Sequence, residues 1–351
     1  MTTGTASTAS ASGAAPVADS PAGPDAASAR PPLLATYLPR LLPRVRQSGI
    51  LIPFVILFVV LAVSNPRFVK TANLLNILDQ QSATVIIAAA GTFVLIAGGI
   101  DLSVGAVYAL CAAVAARVVQ TQPIWVSVVV ALLVGLAIGL VNGVVSTVLR
   151  INSLIATLAM SFIVAGIGNQ VVAGYGGLIR VFERPGYNKI AWTRWLGAMT
   201  SVWIMLGVLV ILGLILSRTT FGRYIYAVGG NAEAARLAGV RITAVRIAAF
   251  AASGVAAALG GVITLSRTQT STGVADTTLT FTVLAAIVVG GTSILGGDGA
   301  LWRTVIGALF IALVGNGFDL LGADPLYKQI TLGVLLLLAV GLDAWSRLSR
   351  R

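Results

Sequence analysis

The segment IWVSVVVALLVGLAIGLVNGVVSTVL, from Ile124 to Leu149, contains no charged residue. A helix needs about 20 consecutive apolar residues to cross a lipid bilayer, so this segment is long enough to span one. Hydrophobic residues make up 57% of the 351-residue chain and charged residues only 10%. That composition leaves too few polar side chains to cover a water-soluble domain of this size, and it predicts a membrane protein.

Further apolar segments accompany this one along the chain. Continuous apolar runs favour helices over a β-barrel, whose strands would alternate polar and apolar residues. The predicted fold class is an all-α polytopic membrane protein with about ten transmembrane helices. The predicted spans are Ile50–Ser64, Ala83–Ala97, Val104–Val119, Ile124–Leu149, Ser153–Tyr175, Ser201–Leu216, Val245–Leu265, Phe281–Leu295, Leu301–Leu320 and Leu326–Trp345.

The segments outside the spans predict domain organisation and orientation. Residues 1–48 are rich in Ala, Ser and Pro and predict a disordered cytoplasmic tail with a basic end; they lack the basic start of a signal peptide. A transmembrane domain over 49–346 follows, with a cytoplasmic loop at 217–246, and then a basic cytoplasmic C-terminus at 347–351. With both termini inside, fourteen basic residues are cytoplasmic and eight lie outside, in agreement with the positive-inside rule.

Composition also excludes several classes of site. The chain has no histidine and one cysteine, Cys111, so we expect no disulfide within it, no metal site and no imidazole catalysis. Cys111 lies in an apolar run and is predicted to pack within a helix. The net charge of +12 comes mostly from basic residues between the spans, not from a basic aromatic face, so nucleic-acid binding is not expected.

The segment AGGIDLSVG, Ala97–Gly105, places an ionisable residue, Asp101, between two apolar runs. One interpretation is that Asp101 and Ser103 cap the helix that begins near Val104. The other is that the break at Gly99 lies beside a solute path, because charged groups at membrane depth tend to mark functional sites. The two interpretations are compatible and both stay open.

Glycine pairs predict discontinuous helices and a possible internal repeat. GGTSILGG at Gly290–Gly297 repeats the glycine-pair, polar, apolar, glycine order of GGIDLSVG, and Val141–Gly143 is echoed by Gly315–Gly317. Discontinuous helices usually line polar cavities in transporters. These matches leave open whether the repeat is parallel or inverted.

The longest hydrophilic stretch between the spans is SRTTFGRYIYAVGGNAEAARLAGVRITAVR, residues 217–246. Gly229–Gly230 predict a turn, Asn231 an N-cap, and Ala232–Leu237 a short helix that Gly239 ends. The stretch has five arginines and one acid. Taken alone, a basic surface helix of this kind could equally bind anionic lipid.

Four segments, in order and spacing, resemble the permease subunits of ribose-type bacterial ABC sugar importers. They are GGIDLSVG, NSLIATL from Asn152, FGRYIYAVGGNAEAARLAGV from Phe221 and VVGGTSILGG, and the likeness covers about residues 50–345. The resemblance implies a multi-pass permease of the bacterial inner membrane that forms a homodimer, docks on ABC ATPase subunits and receives a sugar from an extracytoplasmic binding protein. The chain has no GxxxxGK[ST] sequence, so we expect no enzyme activity or cofactor in it; ATP and magnesium would bind the partner ATPase.

The resemblance further implies that the short helix after Asn231 is a coupling helix that enters a cleft of the ATPase. Glu233 and Arg236 would lie on its polar face, although they could instead pair only with one another. The residues implied in coupling are Gly230, Asn231, Glu233, Ala234, Ala235, Arg236, Leu237 and Gly239.

An uncharged sugar needs amide and hydroxyl partners along an otherwise apolar path. For each such residue, packing between helices is the competing interpretation. The candidates for the helix break and the path are Gly99, Asp101, Ser103, Asn142, Asn152, Ser153, Thr157 and Asn316, with Asn169 and Gln170 as further polar candidates. The loop from Gly176 to Met199, with Arg180, Arg184, Tyr187, Trp192 and Trp195, is predicted to contact the binding protein or the membrane interface.

Two other classes of function were weighed against an importer subunit. A secondary transporter driven by an ion gradient would need several carboxylates inside the spans, and only Asp101, Asp319 and Asp343, all near span ends, are candidates. An integral membrane enzyme would need a cluster of catalytic side chains, which the sequence does not suggest. The secondary transporter remains the alternative.

Overall fold

A computed structural model of the chain describes residues 49–322 and 324–348. The tail predicted over residues 1–48 and the last three residues of the predicted C-terminus lie outside the described residues. The described helices are α1 (Leu51–Ser64), α2 (Thr71–Ile96), α3 (Val104–Val118), α4 (Ile124–Thr147), α5 (Ser153–Ala173), α6 (Lys189–Trp192), α7 (Thr200–Arg218), α8 (Thr220–Gly230), α9 (Ala232–Leu237), α10 (Ile242–Thr268), α11 (Thr277–Val289), α12 (Leu301–Leu321) and α13 (Pro325–Leu348). Two antiparallel pairs of short strands join β1 (Ile179–Arg180) to β4 (Thr270–Ser271) and β2 (Arg194–Trp195) to β3 (Ala198–Met199).

Six of these helices are long and apolar enough to cross a membrane, namely α2, α4, α5, α7, α10 and α12. Shorter apolar helices are α1, α3, α11 and residues 326–338 of α13. At 1.5 Å per residue, the 15 residues of α3 and the 13 of α11 cover only about 20 Å of a hydrocarbon core about 30 Å thick. The chain is a polytopic helical membrane protein, and the total of about ten spans stays a prediction.

Helix α2 begins at Thr71, although the apolar pattern predicted a span from Ala83. Polar residues immediately before Ala83 ended the apolar run in the sequence. In the fold one of them, Asp79, is only 4% exposed: Ser201 Oγ donates to its carboxylate, which lies 3.5 Å from Arg267 Nη2. The predicted start was wrong because hydropathy does not show that partners on α7 and α10 compensate the polar group.

Helix α10 lies at the centre of the bundle and packs against α2, α3 and α4. Small residues permit the close approach to α4, since a Cβ on Gly254 would overlap the carbonyl oxygen of Gly135. Cys111 of α3 is fully buried in the same core with a free thiol, which confirms the packing prediction.

The loop between α5 and α7 folds back onto the end of α10. Ser266 Oγ of α10 donates to the carbonyl oxygen of Tyr187 at 2.9 Å and accepts from the amide of Ala191 at 3.0 Å. Tyr187 is completely buried, so the prediction that it contacts a partner or the membrane interface is wrong. Trp192 and Trp195 are more than half exposed and stay available for such contacts.

Candidate functional site

The helix break between α2 and α3 is held by side chains of other helices. The amide of Ile100 donates to Ser153 Oγ and that of Leu102 to Thr157 Oγ1, both at 3.0 Å. Extended backbone inside a membrane protein needs such partners, because no water is there to supply them. Helix α5 therefore satisfies the backbone of the break.

Asp101 is the centre of the polar network at this break. Its Oδ1 accepts from the amide of Ser103 at 3.0 Å and from Ser103 Oγ at 2.7 Å, and its Oδ2 accepts from Ser253 Oγ of α10 at 2.8 Å. Asn142 Nδ2 of α4 donates to Ser103 Oγ at 2.8 Å. The network thus joins the break to α4 and α10.

The capping interpretation of Asp101 and Ser103 is only partly correct. Ser103 occupies the N-cap position of α3, but its side chain makes no capping hydrogen bond. The Asp101 carboxylate instead accepts a hydrogen bond from the amide of Ser103, the residue that precedes α3, and another from Ser253 Oγ of α10. Asp101 stabilises the turn that leads into α3.

The predicted pathway residues therefore fall into separate groups. Five of them converge on the break: Asp101, Ser103, Asn142, Ser153 and Thr157. Almost all their hydrogen-bonding atoms are engaged there, and Asn142 Oδ1 is buried without a partner among the described residues. Gly99 packs under the ring of Phe250, and Asn152 is the exposed N-cap of α5, accepting from Leu154 N at 2.9 Å. Asn316 lies elsewhere, and Asn169 and Gln170 are exposed on α5.

Asn316 lines a cavity of about 400 Å³ between α2, α11, α12 and α13, termed the polar cavity for the amide, hydroxyl and charged groups on its otherwise largely apolar wall. Asn316 exchanges two amide hydrogen bonds with Asn73, at 3.0 and 3.1 Å. Asp319 and Lys328 form an ion pair at 3.1 Å on the cavity wall. Uncharged polar residues supply much of the remaining lining: Gln80, Gln81, Thr84, Thr278, Thr282 and Gln329.

Sequence reasoning missed this lining, apart from Asn316. Gln80, Gln81 and Thr84 lie within one turn of α2, and Thr278 and Thr282 are one turn apart on α11. Polar residues spaced by one turn on an otherwise apolar helix form a polar stripe, and that spacing was the available signal. Asp79 also went unnoticed as a carboxylate inside a span; it is paired with Arg267.

The predicted short helix is present as α9. Asn231 Oδ1 accepts from Ala234 N at 3.0 Å as its N-cap, and Gly239 follows it in a left-handed conformation with φ of 82°. The predicted turn at Gly229–Gly230 is wrong, because these glycines are the last residues of α8. Packing requires the glycine at position 229, because a Cβ there would overlap the carbonyl oxygen of Ile96.

Helix α9 presents charged and apolar groups to its surroundings. Glu233 and Arg236 form an ion pair with both side chains about two-thirds exposed, and the Arg236 guanidinium holds the pKa of the Glu233 carboxyl below its usual range. Leu237 is 80% exposed and Ala234 is also exposed. Ala235, expected to pack against a partner, is instead buried within this chain, because it faces the core under α8 and α10.

The break between α2 and α3, helix α8 and the connection between α11 and α12 meet at one end of the bundle. Gly297 N, between α11 and α12, donates to Ile96 O at 2.9 Å, and Tyr226 Oη of α8 donates to Gly299 O at 2.9 Å. A Cβ on Gly296 would lie 2.9 Å from Gly98 Cα. Helix α8, which carries α9, is thus packed against both glycine breaks.

Comparison with known proteins agrees with this architecture. The family model described as the permease component of branched-chain amino acid transport systems matches residues 73–340. The ribose import permease protein RbsC of Haemophilus influenzae is 37% identical over 74% of this chain and 81% of its own length. RbsC of Escherichia coli K12 is 38% identical over 74% of this chain and 82% of its own length. The L-arabinose transport system permease protein AraH of Escherichia coli K12 is 36% identical over 87% of this chain and 92% of its own length. No solved structure matches the chain.

The match covers most of the chain, including both glycine breaks, α8 and α9. It confirms the resemblance to ribose-type ABC permeases that the four sequence segments indicated. The chain therefore belongs to the family of branched-chain-type transport system permease components.

Proposed function

We propose that this chain is the transmembrane permease subunit of an ATP-driven ABC importer in the bacterial cytoplasmic membrane, with both termini in the cytoplasm. It would translocate a monosaccharide or a related small polar solute delivered by an extracytoplasmic binding protein. The observation that carries the proposal is the contact of α8 with Ile96 and Gly297, because it connects an exposed surface helix to both breaks in the spans.

ATP hydrolysis would take place on separate ABC ATPase subunits, which would also hold the nucleotide and magnesium. We assign their docking to α9 and its flanks: Gly230, Asn231, Glu233, Ala234, Arg236, Leu237 and Gly239. An exposed Leu237 beside an exposed ion pair suits a protein interface, where an apolar anchor is surrounded by polar contacts.

The mechanism would be a shift between two conformations biased by the ATPases. Movement of α9 would be passed through α8 to Ile96 and so to the breaks at Gly98 and Gly291, because rigid helices in close backbone contact move together. We propose that the break residues Gly99, Asp101, Ser103, Asn142, Ser153 and Thr157, with Asn152 at the start of α5, are positioning residues of this movement.

We assign contact with the solute to the polar cavity that contains Asn316. Amide and hydroxyl groups such as those of Gln81 and Thr84 can exchange hydrogen bonds with sugar hydroxyls and release them again. A second permease copy would complete the path, as the resemblance implies.

The test is uptake of labelled pentoses and hexoses into proteoliposomes that hold this chain, its cognate ATPase and its binding protein. The proposal is supported if uptake requires ATP on the side of the membrane that holds the ATPase and requires the binding protein on the opposite side. Uptake that runs on a proton or sodium gradient without ATP would show that the alternative, a secondary transporter, is correct.

A further inference from the structure

A second cavity, of about 410 Å³, lies beside the helix break and carries positive charge. It is lined by the ends of α4, α5 and α10 and by the turn between α4 and α5. Arg150 and Arg246 are its charged lining residues, and no carboxylate lines it. Among the described residues, neither arginine forms an ion pair, since the four ion pairs there involve other cations.

The fold fixes the guanidinium of Arg246 and gives Arg150, whose side chain is exposed, an unusual backbone conformation. Arg246 Nε donates to the carbonyl oxygen of Ala97 at 3.1 Å, which fixes the guanidinium against the break and leaves its two terminal nitrogens without a partner in the described part of the chain. Arg150 has φ of 56°, a left-handed conformation that residues with a Cβ rarely adopt. Such conformations persist where the surrounding structure enforces them and are common at ligand sites.

Helix ends on the wall contribute fields of both signs. Helices α5 and α10 begin at Ser153 and Ile242, which line the cavity, and the first amides of a helix carry partial positive charge. Helix α4 ends at Thr147, which also lines it, and the last carbonyls of a helix carry partial negative charge. The net positive charge of the cavity therefore comes from the two arginines.

We propose that this cavity binds a phosphate-bearing anion between Arg150 and Arg246. The planar guanidinium group matches two phosphate oxygens at once, and the cavity volume falls within the range of small-molecule sites, about 300–1,000 Å³. A neutral sugar would leave both charges unmatched, so this site is distinct from the proposed sugar contacts around Asn316.

The position of the site gives the anion a consequence for the proposed transport cycle. Arg150 belongs to the turn between α4 and α5, whereas Arg246 belongs to α10 and is bonded to the break. An anion bridging the two would stabilise the arrangement in which these elements lie together, by the free energy of its binding. The anion is either the headgroup of an acidic phospholipid or a soluble phosphate monoester, since both present the same group.

The soluble source is tested with inorganic phosphate and the purified full chain in neutral detergent. We expect phosphate, compared with chloride at equal ionic strength, to raise the thermal unfolding temperature, and we expect Arg150→Gln or Arg246→Gln to raise the apparent Kd by about tenfold or more. Arg218→Gln is the matched control, because Arg218 is exposed at the end of α7 and does not line the cavity.

The lipid source is tested in nanodiscs of phosphatidylcholine with and without phosphatidylglycerol. If phosphatidylglycerol stabilises the wild type and Arg218→Gln but neither Arg150→Gln nor Arg246→Gln, the anion is a phospholipid headgroup. Arg150→Lys keeps the charge but removes the planar guanidinium group; it should weaken binding more modestly, so it decides the matter if an arginine-to-glutamine variant does not fold. The proposal is overturned if neither probe stabilises the protein, or if every variant, including Arg218→Gln, responds like the wild type.

Discussion

The carbonyl oxygen of Ile96, in the last residue of α2, occupies the space into which a Cβ on Gly229 of α8 would project. The same oxygen accepts a hydrogen bond from Gly297 N at 2.9 Å. Three segments that are far apart in the sequence therefore meet at one atom. The proposed coupling depends on this contact, because it is the shortest connection between the α8–α9 unit and the helix breaks.

Replacing Gly229 with Ala should force α8 away from α2. Overpacking typically costs 1–3 kcal/mol, so we expect an unfolding free energy lower by about 2 kcal/mol and uptake reduced relative to ATP hydrolysis. Gly207→Ala on α7 is the matched control, since among the described residues nothing lies within 4 Å of a Cβ on that helical glycine, and it has no proposed role in docking. Thermal unfolding and the ratio of sugar imported to ATP hydrolysed measure the effect; equal behaviour of the two variants would contradict the close contact.

The exposed groups of α9 should matter for coupling and little for stability. Leu237→Ser should leave the melting temperature nearly unchanged and abolish stimulated ATP hydrolysis in the complex, because Leu237 is 80% exposed and has little packing to lose among the described residues. The exchange Glu233→Arg with Arg236→Glu keeps an ion pair but reverses the charges offered to a partner. We expect this double variant to lose coupling; retained uptake would show that the two residues only pair with each other.

The buried ion pair of Asp79 and Arg267 should stabilise the fold, because each buried charge is compensated by the other. Asp79→Asn leaves Arg267 without its counter-charge, and breaking such a pair costs about 3 kcal/mol when the site is well buried. The double variant Asp79→Asn with Arg267→Gln should recover part of that loss. Asp298→Asn provides the comparison, because Asp298 is 69% exposed and its pair with Arg303 should be worth about 1 kcal/mol or less. Equal losses from Asp79→Asn and Asp298→Asn would contradict the argument.

The polar cavity should set the apparent affinity for sugar. Gln81→Ala and Thr84→Val each remove about one hydrogen bond to the solute, worth about 0.5–1.5 kcal/mol, so we expect uptake to require about 2- to 10-fold more sugar-loaded binding protein. Asn169→Ala on the exposed side of α5 is the control and should have no effect. Unchanged uptake kinetics in both cavity variants would place the sugar contacts elsewhere.

The site could be predicted only in part from the sequence. The sequence correctly predicted the cap at Asn231, the helix at Ala232–Leu237 and its end at Gly239, because capping and helix propensity act over a few neighbouring residues. Asp101 was predicted to lie at a helix break, and it does, but its partner Ser253 is 152 positions away along the chain. No local pattern indicates a partner at that distance.

Membrane insertion and the helical class follow from composition and from apolar runs such as Ile124–Leu149, because a backbone in lipid must satisfy its own hydrogen bonds and can do so locally in a helix. The position of each polar group among the helices follows instead from packing. Asp79 lies inside a span because Arg267 meets it there, and position 229 of α8 is a glycine because Ile96 leaves no space for a side chain. Such contacts join residues distant in the chain, and their free energies depend on which faces the folded bundle brings together.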